Sequence, residues 1–309
     1  MAEKLPNKIK RDNYVIISLG LSLALIWLGF FLVYKTGEWQ LAKQEKERQA
    51  EEMKMAAEKT RFFANLNLQA KAYVIYNAET NEIIAGQNEN EVLPLASLSK
   101  LMTALVANDL AQPEARLTTK GNDSGLRKGE RWQLASLSAL TLVGSSNDGA
   151  EALAQTATSG VAFVDQMNRR VQELDLAPLS FTNPTGLDEK FGPSNTGSAL
   201  AVAKLMSYLL KNKPELLALT TETAIKEKSL DNLNHVIINT NEIVDQIPGL
   251  MAGKTGLTNL AGGNLTVAAN IGLKRPLVFV VLGSTQEGRF SDTKKLVDAA
   301  LNYYSTINK

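Results

Sequence analysis

The chain has 309 residues, with 33 Lys and Arg against 32 Asp and Glu, one His and no Cys. That length suits one large or two modest domains, and a net charge of +1 gives no electrostatic ground for nucleic-acid binding. Without cysteine there are no disulfides, no thiol catalysis and no Cys-ligated zinc, and a single histidine leaves a catalytic zinc short of its usual ligands.

Tyr14 to Tyr34 carries no charge and is rich in Leu, Ile and Phe. About 20 apolar residues span a bilayer, so residues 14–34 are expected to form a transmembrane helix. Their apolar core is longer than that of a signal peptide and no A-x-A-like site follows, which favours an uncleaved anchor. Lys8, Lys10 and Arg11 precede the span and only Lys35 follows closely; this leans towards a cytoplasmic tail at residues 1–13 and an extracytoplasmic remainder. Residues 35–64 are dense in Glu, Lys, Gln, Arg and Ala, with opposite charges at helical spacing such as Glu51 with Lys54. They are expected to form a solvated helical stalk without a coiled-coil heptad.

The globular part is expected from Asn65 to the end. Lys71–Asn77 and Glu82–Gly86 read as two strands around a turn. The run from Ser97 to Val106 lacks Gly and Pro and is apolar nearly all round, which predicts a helix buried on every side. Leu126–Trp132 reads as a loop. Leu134–Leu142, Ala150–Thr156, Phe163–Leu174, Leu200–Leu210 and Lys294–Tyr304 read as helices, and Gly263–Ile271 and Pro276–Gly283 as central strands. Strands near both ends with helices between them predict an α+β domain whose sheet is assembled from both termini.

Three stretches carry chemistry. Ser97 and Lys100 are three apart and share a helix face; a Lys desolvated among Leu98, Leu101 and Met102 loses its preference for the charged form and can act as a base towards Ser97. The plainer reading is an N-capping Ser and a solvated Lys. Gly144-Ser145-Ser146-Asn147-Asp148 is a polar turn between apolar helices, either a helix cap or a Ser and an Asn presented to a cleft. Gly253-Lys254-Thr255-Gly256-Leu257-Thr258 is either a turn or a strand edge, with Lys and Thr facing a ligand carboxylate and Gly256 leaving room for it. His235 begins an apolar stretch with no G-x-S-x-G elbow anywhere, so a Ser-His-Asp triad has no support and a structural histidine is expected.

In the order S-x-x-K, S-x-N, K-T-G, these stretches resemble the signature set of penicillin-binding proteins and class A β-lactamases. Ala96–Thr103, Met167-Asn168, Phe181–Leu187 and Lys254–Thr258 with Ala261-Gly262 are similar to the D-alanyl-D-alanine carboxypeptidases among them, over about residues 70–304. Ser146 stands where that family more often has Gly. The resemblance implies a β-lactamase/transpeptidase-like fold, an antiparallel sheet flanked by helices with a helical subdomain, and no cofactor or metal. It implies Ser97 as nucleophile, Lys100 as its base, Ser145 as proton relay, and Asn147 as holder of Lys100 and the substrate amide. Lys254, Thr255, Gly256 and Leu257 would bind substrate, with the Ser97 and Leu257 amides as oxyanion donors, and Arg289 would meet the terminal carboxylate, a surface arginine being the alternative. The expected activity is removal of the terminal D-Ala from peptidoglycan stem peptides, with β-lactams as inhibitors and attachment to the bacterial cytoplasmic membrane. The alternatives are a D,D-endopeptidase, a β-lactamase and a silent wall-binding protein. No Glu between Ala150 and Gly253 has Asn four residues on, which argues against the class A deacylation machinery.

Overall fold

The computed structural model describes residues 7–64, 66–157, 162–189, 195–272 and 275–307. Residues 1–6 of the expected tail, and Asn65 at the expected domain start, lie outside the described residues. The chain divides into two compact units, Met1–Glu58 and Lys59–Lys309.

The described residues of the first unit belong to helix α1, Asn7–Phe63. Gly37 does not interrupt it; one glycine costs a helix only about 1 kcal/mol. By length and composition Ile17–Glu51 is long and apolar enough to cross a membrane, and Leu19, Leu25, Trp27 and Phe30 are exposed there. Beyond the apolar half, Lys35–Glu38, Lys43–Glu47 and Arg48–Glu45 pair at helical spacing.

The second unit takes in the last turn of α1. Lys59 Nζ donates to the Ile83 carbonyl at 2.9 Å, and the Phe62 and Phe63 rings meet Tyr303 at 5.6 and 5.7 Å. In chain order follow β1 (Ala72–Asn77), β2 (Ile83–Gln87), β3 (Leu93–Pro94), α2 (Lys100–Leu110), β4 (Arg116–Thr118), β5 (Arg131–Gln133), α3 (Leu134–Val143), α4 (Asn147–Leu153) and α5 (Phe163–Glu173). Next come β6 (Thr196–Gly197), α6 (Ala199–Asn212), α7 (Pro214–Leu217), β7 (Ala224–Lys228), β8 (Asn234–Ile238), β9 (Leu250–Thr258), β10 (Gly262–Asn270), β11 (Pro276–Ser284) and α8 (Gly288–Ile307).

Five strands form one antiparallel sheet in the order β2-β1-β11-β10-β9. The first and last parts of the sequence therefore meet at its centre, where Val74 faces Val280 and Ile75 faces Phe279. Side chains alternate across a strand, and here both faces are covered. Val74, Val278, Val280 and Leu282 join the core beneath α2, α3 and α6, whereas Ile75, Phe279 and Val281 join a second core with Phe290, Leu296 and Tyr303 of α8. Being buried on both sides, β11 reads as a nearly continuous apolar run, whereas β10 also carries the buried Asn264 and Thr266. The mixed fold and antiparallel sheet match the expectation.

Two local readings change. Leu126–Trp132 is a loop only as far as Glu130, because Arg131–Gln133 pairs with Arg116–Thr118. The last helix starts earlier than Lys294, at Gly288, where the Thr285 hydroxyl accepts the Gly288 N–H at 2.9 Å.

Candidate active site

Ala96–Ser99 forms a single 3₁₀ turn that runs straight into α2. Ala96 holds φ +50°, a left-handed conformation that costs a non-glycine residue about 1–2 kcal/mol. The contacts around it fix that turn. The Ser99 hydroxyl donates to the Ala96 carbonyl at 2.8 Å, and Gly186, at φ +80°, lies so close that a Cβ there would stand 1.9 Å from the same oxygen. Only glycine lets the Pro184–Gly186 backbone approach the Ser97 turn this closely.

Lys100 is fully buried. Its Nζ lies 2.8 Å from Ser97 Oγ, 2.8 Å from Asn147 Oδ1 and 2.7 Å from the Thr185 carbonyl oxygen. Burial brings its pKa down to about 7, against the opposing pull of Asp123 and Glu151. The partner set suits the neutral amine. Two N–H groups donate to the two carbonyl oxygens, which can only accept, and the remaining lone pair faces the one partner with a proton to give, the Ser97 hydroxyl. A base poised near neutrality against a half-buried serine is the arrangement that nucleophilic catalysis requires.

The turn between α3 and α4 satisfies both readings of its sequence. Ser146 is a cap, its hydroxyl accepting the Gly149 N–H at 2.8 Å. Ser145, at φ +58°, and Asn147 are presented to the site. Ser145 Oγ accepts from Lys254 Nζ at 2.8 Å, and Asn147 Oδ1 accepts from Lys100.

Lys254, Thr255 and Gly256 lie on β9, the edge strand of the main sheet. Lys254 is buried, and its Nζ also donates to the Thr255 carbonyl at 2.9 Å. Burial, followed by the nearby Lys100 and Arg289 cations, holds its pKa well below the ordinary lysine value. Thr255 Oγ1 shares a hydrogen bond with Thr240 Oγ1 at 2.6 Å. Gly256 packs closely. A Cβ there would lie 2.9 Å from the Leu95 carbonyl oxygen and 3.2 Å from the Ala96 Cβ, so the glycine admits the Ser97 turn against the strand. Leu257 follows, exposed. Arg289 is no surface residue: it is 6% exposed, and its Nη1 donates to the Gly256 carbonyl at 2.9 Å. Burial lowers its pKa from the ordinary arginine value.

His235 is engaged elsewhere. It sits on β8, with Nε2 2.6 Å from Glu130 Oε1, Nδ1 2.9 Å from the Gly125 carbonyl and its ring 5.0 Å from that of Trp132. Three site groups escape reading by residue type: the Thr185 carbonyl, the Thr240 hydroxyl and the Asp123 carboxylate. The first is backbone and leaves no side-chain signature. Asp123 stands in Gly121-Asn122-Asp123-Ser124-Gly125, which by composition is only a turn.

The sequence pattern of the peptidase S11 family, D-alanyl-D-alanine carboxypeptidase, matches residues 54–286. The chain belongs to that family. It is 30% identical over 254 residues to the D-alanyl-D-alanine carboxypeptidase DacF of Bacillus subtilis, covering 77% of this chain and 64% of DacF. It is 29% identical over 263 residues to DacC of Escherichia coli, covering 78% and 63%. The chain thus spans just under two thirds of the length of these two relatives. Penicillin-binding protein D2 from Listeria monocytogenes, solved in an ampicillin-bound form, superposes with a TM-score of 0.66 at 29% identity, over 76% of this chain and 99% of that one. The Streptomyces K15 DD-transpeptidase shares the fold, with a TM-score of 0.69 at 21% identity over 76% of this chain and 99% of that one.

Proposed function

We propose that this S11 peptidase is a serine D-Ala-D-Ala carboxypeptidase that trims the terminal D-Ala from peptidoglycan stem peptides through an acyl-enzyme on Ser97. The observation that carries the reading is Lys100: buried, poised at about 7, with Ser97 Oγ 2.8 Å away and the other two contacts able only to accept. Lys100 takes the Ser97 proton as Oγ attacks the carbonyl carbon of the penultimate D-Ala. The Ser97 and Leu257 amides stabilise the oxyanion; losing one such donor typically costs about 3 kcal/mol. Ser145, bonded to Lys254, passes a proton to the departing D-Ala nitrogen, and water then releases the shortened peptide. Thr255 and Arg289 meet the terminal carboxylate, and Asn147 holds both the substrate amide and Lys100.

The domain arrangement belongs to the same proposal: a cytoplasmic tail at 1–13, a single anchor at 14–34, a stalk at 35–64 and the peptidase from 65 onward, on the outer face of a bacterial cytoplasmic membrane. The apolar helix supports it, as does a substrate class that lies outside that membrane. β-Lactams, which D2 of Listeria monocytogenes binds, are expected to acylate Ser97. The test is product analysis on a stem pentapeptide and on a cross-linked muropeptide dimer. Free D-Ala from the pentapeptide, lost in Ser97→Ala, is the expected result. Cleavage of the cross-link alone makes the protein an endopeptidase, and an intact pentapeptide overturns the carboxypeptidase reading.

A further inference from the structure

The segment 119–130, between β4 and β5, contains none of the three motifs, yet it grips the second. Asp123 accepts the backbone N–H of Asn147 at 2.6 Å and that of Asp148 at 3.3 Å. It also accepts the Ser146 hydroxyl proton, since that oxygen already receives the Gly149 N–H. In return the Asp123 N–H donates to Asp148 Oδ2 at 2.9 Å, and the Ser124 hydroxyl donates to the Gly144 carbonyl at 3.1 Å. Residues 144–148 are therefore held from outside along their length. The turn needs such support, because Ser145 sits in a left-handed conformation that persists only where its surroundings impose it.

The segment is itself anchored at its far end. Glu130 Oε2 accepts the Arg127 N–H at 3.1 Å, Oε1 meets His235, and His235 meets the Gly125 carbonyl. The Thr119 hydroxyl closes the loop by donating to the Arg127 carbonyl. A continuous set of contacts thus runs from the β8 histidine through the loop to Asp123, the Asn147 backbone and the amide oxygen 2.8 Å from Lys100 Nζ.

We propose that Asp123 is a positioning residue for the acylation of Ser97: by gripping the Asn147 and Asp148 amides and the Ser146 hydroxyl, it fixes the Asn147 carboxamide against Lys100. The proposal rests on the acyl-enzyme reading above. It predicts two separable signatures. A misplacement of about 1 Å in a catalytic group can cost on the order of a hundredfold in rate, so loss of the grip slows acylation at every pH. Charge acts independently. Lys100 faces the Asp123 and Glu151 carboxylates and the Lys254 amino group, and the two carboxylates raise its pKa against burial. Removing the Asp123 charge while keeping its shape moves the acid limb of acylation to lower pH.

The test measures acylation of the full chain by a fluorescent penicillin from pH 5.5 to 9, in wild type, Asp123→Ala, Asp123→Asn and Ser146→Ala. The labelled fraction at completion reports how much protein is folded, and the rate constant reports positioning. Asp123→Ala is expected to react at least about tenfold more slowly on the high-pH plateau, with its acid limb displaced downward. Asp123→Asn should recover most of that rate at high pH with its acid limb displaced downward, and Ser146→Ala, which removes one of three donors, should lie between Asp123→Ala and wild type. Wild-type rates and limb in Asp123→Ala overturn the proposal. If Asp123→Ala does not fold, the same result in both Asp123→Asn and Ser146→Ala overturns it. A wild-type protein that takes no label at all refutes the parent reading instead.

Discussion

If the buried Lys100 is the base, the pH dependence of acylation follows from its environment. An ordinary lysine titrates near 10.4, so at pH 7 only about one in 2,500 side chains is neutral. With its pKa at about 7, Lys100 is neutral roughly half the time, a gain in base population of about 10³ that corresponds to about 4–5 kcal/mol against the ammonium. Burial lowers the pKa of a cation, so the active form is lost as pH falls. Acylation of Ser97 should follow a single acid limb with its midpoint near 7, falling to about a tenth of its plateau at pH 6 and about a hundredth at pH 5. Lys100→Arg offers no lone pair at any of these values and should acylate at least about 10³-fold more slowly. The assay is stopped-flow acylation at constant ionic strength. A rate independent of pH between 5 and 8, or an active Lys100→Arg, refutes the reasoning.

Lys254→Ala removes the amino group that donates to Ser145 and should slow acylation on the order of 10²-fold while the adduct still forms on Ser97, as single-turnover labelling would show. Gly256→Ala forces a Cβ to 2.9 Å from the Leu95 carbonyl; overpacking of about 1–3 kcal/mol should appear as a lower Tm together with slower labelling, whereas a wild-type melt and rate would contradict the close packing of β9 on the nucleophile turn. The full chain should stay with membranes after an alkaline wash. Leu25→Lys combined with Leu28→Lys, at about 2.5–3.5 kcal/mol each in a helix centre, should release much of it, and unchanged retention would place the attachment elsewhere.

The main sheet could be read because its strands are long. Gly263–Ile271 and Pro276–Gly283 carry β-branched residues on both faces, and the core requires that on both sides. The pairing of β7 with β8 is hard to read: β7 has one buried apolar residue, Ile225, followed by Lys226, Glu227 and Lys228, and β8 turns only His235 and Ile237 inward over five residues. Strands as short as Leu93–Pro94 and Thr196–Gly197 have no period to detect. In the site, Ser97, Lys100, Ser145, Asn147 and Lys254 could be found because each contributes a reactive side chain at a fixed spacing. Thr185 contributes only a carbonyl, and Asp123 reaches Asn147 from a loop 24 positions away in sequence. The close packing at Gly186 and Gly256 emerges only once the Ser97 turn is seen pressed between them.

The central claim, that Ser97 is the nucleophile of an acyl-enzyme reaction, is tested most directly by mass spectrometry of the penicillin-treated protein. After attack, an opened β-lactam stays tethered in the space that a departing D-Ala would vacate for water. No Glu between Ala150 and Gly253 has the class A spacing to activate water. The adduct should therefore persist for minutes or longer, map to the peptide that contains Ser97, and be absent in Ser97→Ala. Rapid penicillin turnover with no trapped adduct, or an adduct on any other residue, would contradict the account.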